Sequence, residues 1–144
     1  MIALRKFEEF IFLGIITKQN SDNERAKNLI LESEGKLKFF KKVKNKLGTE
    51  ELSPNYVIET CYDILIELLR AKLLTRGYKT DSHEAEISYM RNLNFSENEV
   101  IFMNELRYFR NGIKYYGRIF TKEYTEKVFI FMEKIYLKLT KLLK

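Results

Sequence analysis

Residues 106–117, LRYFRNGIKYYG, and the arginine after them carry the side chains with the clearest capacity for chemistry. In a helix, the four cations Arg107, Arg110, Lys114 and Arg118 would follow one another at spacings of three or four residues and form one stripe. Like charges at these spacings repel by a few tenths of a kcal/mol per pair, and a glycine inside a helix costs about 1 kcal/mol relative to alanine. The sequence accepts both costs, the second at Gly112. This indicates that the protein uses the positive field of the stripe, a close approach of another backbone, or both.

A structural explanation of the stripe is also open. Cations near the C-terminus of a helix are favoured by the helix dipole, and Gly117 followed by Arg118 is typical of such an end. The dipole explains neither Asn111 nor Gly112, and both are poor residues for the interior of a solvated helix. We therefore prefer the functional interpretation and keep a solvated basic face as the alternative.

Composition predicts one all-helical domain covering residues 1–144. The chain has one proline, six glycines, 45% hydrophobic and 32% charged residues, and apolar residues recur with the period of a helix. The formal net charge is +6 and the isoelectric point is near 9.3. This excess of positive charge favours an acidic partner, which could be RNA, DNA, nucleotide phosphates or an acidic protein surface.

The single cysteine and single histidine exclude most classes of enzyme. Cys61 cannot form an intramolecular disulfide or a thiolate metal cluster, and its neighbours predict a buried free thiol. Any catalytic triad or histidine metal site would have to use His83. A loop histidine satisfied by local partners is the simpler interpretation of His83, which stays a secondary site candidate. We expect no metal and no cofactor.

The N-terminal region resembles neither a signal peptide nor a membrane span. Residues 10–16 are apolar but too few to cross a bilayer, and Glu8 and Glu9 stand where a signal peptide would be basic. No lipidation motif is present. We therefore expect a cytoplasmic protein with no membrane partner.

Capping signals divide the chain into helices. Ser21 and Ser96 each begin a capping box, Pro54 suits the first position of a helix, and Thr121 is a typical N-cap. Four long helices with short connections predict an antiparallel four-helix up-and-down bundle, with additional helices at residues 2–17 and 83–92. A polar loop is expected up to Asp81. The predicted long helices span residues 21–47, 54–76, 96–117 and 121–143.

Residues 36–46, KLKFFKKVKNK, form a second basic segment in which lysines alternate with aromatic and aliphatic residues. Such a segment can bind nucleic acid, but lysines beside an apolar seam more often form a solvated face. We prefer the solvated face.

The chain resembles the HEPN family of small helical bundles. The resemblance rests on the order of the long helices, on the GYKTDSHEA segment at residues 77–85, and on LRYFRNGIKYYG. It implies a helical bundle that works as a homodimer. Many HEPN proteins are metal-independent ribonucleases with an Arg-x4–6-His motif, in which a polar residue follows the arginine and two motifs meet in one cleft. Several are toxins neutralised by a small nucleotidyltransferase.

The resemblance assigns the motif arginine to Arg110 and the polar residue after it to Asn111. Tyr115, flanked by Lys114 and Tyr116, stands where the family has histidine, and no histidine follows. The arginine suits a phosphate and the histidine suits proton transfer. Tyrosine has an unperturbed pKa of about 10 and is a poor base at neutral pH.

We therefore expect a HEPN-like toxin–antitoxin component that binds RNA or nucleotide phosphate in a basic cleft at a homodimer interface. The cleft would use Arg107, Arg110, Lys114, Tyr116 and Arg118, and ribonuclease activity would be weakened or lost. A small nucleotidyltransferase is the expected partner. One alternative is an active ribonuclease in which Tyr115, Tyr116 or Lys114 replaces the histidine, or in which His83 reaches the cleft. Another is a non-catalytic module for protein interaction.

Overall fold

The computed structural model describes residues 3–116 and 119–144, with the side chains of all of these except residues 114–116. The prediction of a mostly helical chain is confirmed for this part of the protein. Short strands β1 and β2 pair into an antiparallel ribbon, with Thr17 opposite Lys79 and Lys18 opposite Tyr78. The elements are α1 (Phe7–Phe12), β1 (Thr17–Lys18), α2 (Asn23–Leu47), α3 (Pro54–Thr75), β2 (Tyr78–Lys79), α4 (His83–Ser88), a 3-10 helix (Tyr89–Leu93), α5 (Glu97–Tyr116) and α6 (Lys122–Leu142).

Most helix boundaries follow from local chemistry. At the start of α5, the Ser96 amide donates to Glu99 Oε1 at 2.9 Å and the Glu99 amide donates to Ser96 Oγ at 3.2 Å, so the predicted capping box is present. Thr121 caps α6 as predicted. The prediction for α2 was wrong in one detail, because Asp22 and not Ser21 accepts from a first-turn amide, that of Arg25. A carboxylate is an equally good cap at that position.

Helix α3 lies at the centre of the protein. It packs against α2, α4, α5 and α6, and its buried residues lie on every side of the helix. Lys122, at the start of α6, contacts Glu50 just before α3, whereas Lys72 near the end of α3 donates to the Leu142 carbonyl at 2.7 Å. Helices α3 and α6 therefore run in the same direction and pack directly against each other. In a square four-helix bundle each helix occupies one corner, whereas α3 lies closer to the centre of this protein.

The prediction of a helix over residues 2–17 was wrong. Helix α1 covers only Phe7–Phe12, Gly14 then takes a φ of 74°, and the chain enters β1. The predicted polar loop after Gly77 contains β2 instead. Gly77 is required where the two segments meet, because its φ is 78° and a Cβ there would lie 2.6 Å from the Gln19 carbonyl oxygen. A tertiary strand pairing has replaced the last helical turns that the apolar spacing suggested.

None of the helices within residues 3–116 and 119–144 combines the length and the apolar character that a membrane span requires.

Candidate functional site

Arg110 lies on α5 against two residues of α3. Its Nη2 is 3.3 Å from Asp63 Oδ1, and its guanidinium carbon lies 6.0 Å from the centre of the Tyr62 ring. Its Nε is buried and has no hydrogen-bond partner among the described residues. The motif arginine is therefore held in place by a carboxylate and a ring.

Arg107, one turn before Arg110, is also held by its own chain. Its Nε donates to Asn104 Oδ1 at 2.9 Å, and its guanidinium carbon lies 4.9 Å from the Tyr108 ring centre. Burial opposes ionisation of Glu84, but hydrogen bonding and charge from Arg5, with further positive charge from Arg107, lower the pKa of Glu84. The two described cations of the stripe thus have acceptors or acidic neighbours, which makes this part less positive than the sequence suggested.

The side chains of Lys114, Tyr115 and Tyr116, together with the whole of Arg118, lie outside the described part of the structure. Their assignment as phosphate ligands, and that of Tyr115 as the substitute for the motif histidine, stays a prediction.

His83 occupies the first position of α4, whose N-cap is Ser82. Its Nδ1 lies 2.9 Å from Glu86 Oε1, one turn further along the helix. Glu86 is fully buried, and Arg70 of α3 binds the same carboxylate with its Nε at 2.6 Å. Because a carboxylate oxygen accepts, Nδ1 carries the hydrogen, and the imidazole has a fixed orientation and tautomer.

Tyr62 connects His83 to Arg110. The centres of the His83 and Tyr62 rings are 6.0 Å apart, and the two rings are nearly perpendicular. Arg110 lies against the same Tyr62 ring. Burial, followed by the negative charge of Glu86, raises the pKa of Tyr62 above its ordinary value, so its hydroxyl stays protonated at neutral pH. That hydroxyl is buried and has no partner among the described residues.

The arrangement can bind an anion and move a proton. The Arg110 guanidinium is a ligand for phosphate, and Nε2 of His83 is the ring nitrogen that Glu86 does not engage. A carboxylate that orients an imidazole in this way is the arrangement used in general acid–base catalysis. We call the cluster formed by Tyr62, Asp63, His83, Glu86 and Arg110 the α3–α4–α5 site.

The sequence did not identify several members of this site. Tyr62 and Asp63 lie in a different helix from Arg110, and no pattern in one sequence brings these helices together. Glu86 could have been found, because a residue three positions after His83 lies on the same face of a helix. Asn104 stands in the same relation to Arg107.

Asn111 and Gly112 do not support the expected dimer contact on α5. Asn111 is half-buried, and Gly112 is already buried by residues of its own chain. A buried glycine lets neighbouring groups of the same chain pack closely, so Gly112 no longer requires approach by a second chain.

The basic segment at residues 36–46 makes several contacts within the chain. Lys36 binds Glu67, Lys41 lies 3.6 Å from Glu133, and Lys44 Nζ lies 3.1 Å from the Phe129 ring centre. These contacts support a structural role for half of its lysines.

Cys61 is buried, as predicted, and burial raises its pKa to about 12. Its thiol is therefore neutral at physiological pH and is not a nucleophile. Within the described ranges, no group of three or more histidine, cysteine, aspartate and glutamate residues could hold a metal ion.

No protein-family model, no curated protein and no solved structure matches the chain. The resemblance to the HEPN family consequently rests on the sequence features given above.

Proposed function

We propose that this chain is a HEPN-like protein that binds RNA, or the phosphates of a nucleotide, at the α3–α4–α5 site. The observation that supports this function is the shared contact of His83 and Arg110 with the Tyr62 ring. Arginine is a good ligand for phosphate, and histidine exchanges protons near neutral pH. Metal-independent cleavage of RNA uses one group that stabilises the phosphate charge and one group that transfers protons.

In this proposal, His83 supplies the histidine that the Arg110 motif lacks. Nε2 of His83 accepts the proton of a ribose 2′-hydroxyl, and the 2′-oxygen forms a bond to phosphorus. The bond from phosphorus to the 5′-oxygen then breaks, and the leaving oxygen takes a proton from the imidazolium or from water. Arg110 stabilises the negative charge on the phosphoryl oxygens, while Glu86 stabilises the protonated imidazole.

Binding without cleavage is the second candidate, and the Arg110–Asp63 ion pair favours it. An arginine already paired with a carboxylate binds phosphate only if the ligand displaces or shares that partner. In this case the chain would act as a toxin–antitoxin component in the cytoplasm, with a small nucleotidyltransferase as its partner. The homodimer implied by the family resemblance belongs to both candidates.

The direction of the long helices is consistent with the proposed family. The start of α2 contacts the end of α3, through the Asp22 amide and the Leu74 carbonyl, so these helices run in opposite directions. The start of α5 contacts the end of α6, where Lys138 lies 3.3 Å from Glu99. We therefore propose an up-and-down order of α2, α3, α5 and α6 within a single domain.

Cleavage of a labelled single-stranded RNA in EDTA tests the function. If the wild type cleaves, Arg110→Ala and His83→Gln should each lower the rate by about 100-fold or more. Arg25→Ala is the matched control, because it removes the same charge from the exposed first turn of α2. Binding that requires Arg110 but gives no cleavage would select the second candidate. If the chain neither binds nor cleaves RNA, the non-catalytic module for protein interaction remains as its function.

A further inference from the structure

Gly35 is a residue that the fold itself does not explain. It is the central residue of α2 and is exposed, and a Cβ built there would meet no atom within 4 Å among the described residues. A glycine in a helix interior costs about 1 kcal/mol relative to alanine. No packing within the described part of the chain compensates this cost.

The residues around Gly35 form an apolar patch on the outer face of α2. Leu31, one turn before Gly35, is 57% exposed, and Phe39, one turn after it, is 63% exposed. The opposite face of the helix, which includes Ser33, Leu37 and Phe40, is buried. Two large apolar side chains with a bare backbone between them are typical of a place where another helix packs closely.

The charges of α2 differ between its two halves. The half after Gly35 contains six lysines and no acidic residue, whereas Glu24, Glu32 and Glu34 lie in the half before it. On the outer face, Glu24 and Asn28 precede the apolar patch, and Lys42 and Lys46 follow it at the same distances from Gly35.

We propose that this outer face of α2 docks the same face of a second copy of the chain, with the two helices antiparallel and crossing at Gly35. A two-fold axis at Gly35 places Leu31 opposite Phe39 of the second copy, and Glu24 opposite Lys46 of the second copy. Antiparallel pairing also aligns the helix dipoles favourably. Parallel pairing would instead place the lysine-rich halves against each other.

The exposed lysines and Phe39 could also meet a nucleic acid strand, with a base stacked on the ring. Binding of RNA would not explain the acidic Glu24 or the aliphatic Leu31. It would also not explain a glycine at position 35, because a phosphate backbone does not need to approach the helix backbone there. A second copy uses all of these residues. This surface lies on α2 and is separate from the α3–α4–α5 site. The contact therefore differs from the shared cleft of two Arg110 motifs that the family resemblance implies, and its test does not depend on the proposed ribonuclease function.

Size-exclusion chromatography with light scattering measures the association directly. The wild type should elute at twice the 17.3 kDa mass of the chain at micromolar concentrations. Gly35→Leu should favour the helix yet block the crossing, and Phe39→Ser should remove part of the patch, so each should weaken dimerisation by about tenfold or more. Ile130→Ser is the matched control, because Ile130 is 65% exposed on α6, and it should leave the dimer intact.

A charge exchange tests the two-fold arrangement without altering the apolar patch. Glu24→Lys and Lys46→Glu should each weaken the dimer, because each places like charges opposite one another twice. The double variant restores opposite charges and should recover most of the affinity. A monomeric wild type, a dimer indifferent to Gly35→Leu, or a double variant without recovery would overturn the proposal. Loss of RNA binding in Phe39→Ser with no change in mass would assign the face to nucleic acid instead.

Discussion

Nη2 of Arg110 lies 3.3 Å from Oδ1 of Asp63, so the cation best suited to phosphate is already paired with a carboxylate in the free protein. Asp63 is about one-third exposed and orients the guanidinium against Tyr62. The same contact competes with any anion that approaches Arg110. The balance between orientation and competition determines how tightly the site can bind.

Asp63→Asn should strengthen binding of single-stranded RNA several-fold, because it removes the competing charge and retains a side chain of the same shape. Fluorescence anisotropy at fixed ionic strength measures the change. Glu59→Gln is the matched control, since it removes one carboxylate charge a turn earlier on α3. Equal gains from both variants would indicate a general charge effect without a role for the Arg110–Asp63 pair.

The salt dependence of RNA binding should identify Arg110 as a phosphate ligand. Arg110→Ala should reduce the slope of log K against log salt by about 0.7, the value for one contact to a single strand. Lys41→Ala should change it less, because Lys41 lies beside Glu133 on the solvated face. Similar changes in slope for both variants would point to diffuse basicity.

Glu99 should stabilise the protein at neutral pH and lose this effect in acid. Burial opposes its ionisation, but hydrogen bonds from the Ser96 amide and from Lys138 lower the pKa of Glu99 below its ordinary value. A carboxylate with a lowered pKa in the folded state contributes stability above the unfolded pKa of about 4.3, and loses it as pH falls through the folded pKa.

Urea unfolding of Glu99→Gln against the wild type measures this contribution. The variant should be less stable by about 1 kcal/mol at pH 7, and the difference should shrink below pH 4. Glu123→Gln, which alters an exposed acid in the first turn of α6, should show a smaller effect at both pH values. A difference for Glu99→Gln that is independent of pH would refute the assigned cause.

Tyr115→His should create or raise metal-independent cleavage of RNA, because it restores the motif histidine beside Arg110 and Asn111. A step of five residues turns the side chain about 140° around a helix from Arg110, so the two groups would meet around a groove or across a dimer. Cleavage assays of Tyr115→His with and without His83→Gln separate the two sources of acid–base chemistry. Activity lost in the double variant would show that His83 is the operative group.

Local chemistry made much of the fold predictable. The Ser96–Glu99 capping box, Pro54 at the start of α3 and the Thr121 cap involve residues within four positions of one another, so a single sequence contains them fully. The prediction of a helix over residues 2–17 was wrong because the apolar spacing in this segment is compatible with both a long helix and a short one. Pairing of β1 with β2, which lies about 60 residues further along the chain, selects the short helix.

The candidate site was predictable only in part, for the same physical reason. Arg110 and His83 were identified by residue type, but their relation through Tyr62 depends on how three helices pack. The ion pair with Asp63 lowers the free positive charge that a count of cations suggests. The sequence predicts that Gly112 approaches a second chain, whereas burial by its own chain already accounts for this glycine.

The contacts of the N-terminal segment predict an order of folding for this protein. Arg5 binds Glu84 beside His83, Arg91 donates to the Leu4 and Arg5 carbonyls, and Thr17 pairs with Lys79, all across more than 60 positions of sequence. Such non-local contacts form late, whereas α2 and α3 meet through a short connection. During refolding, the amide hydrogens of α2 and α3 should therefore be the first to become protected from exchange. His83 should acquire its final surroundings only when residues 3–19 have docked.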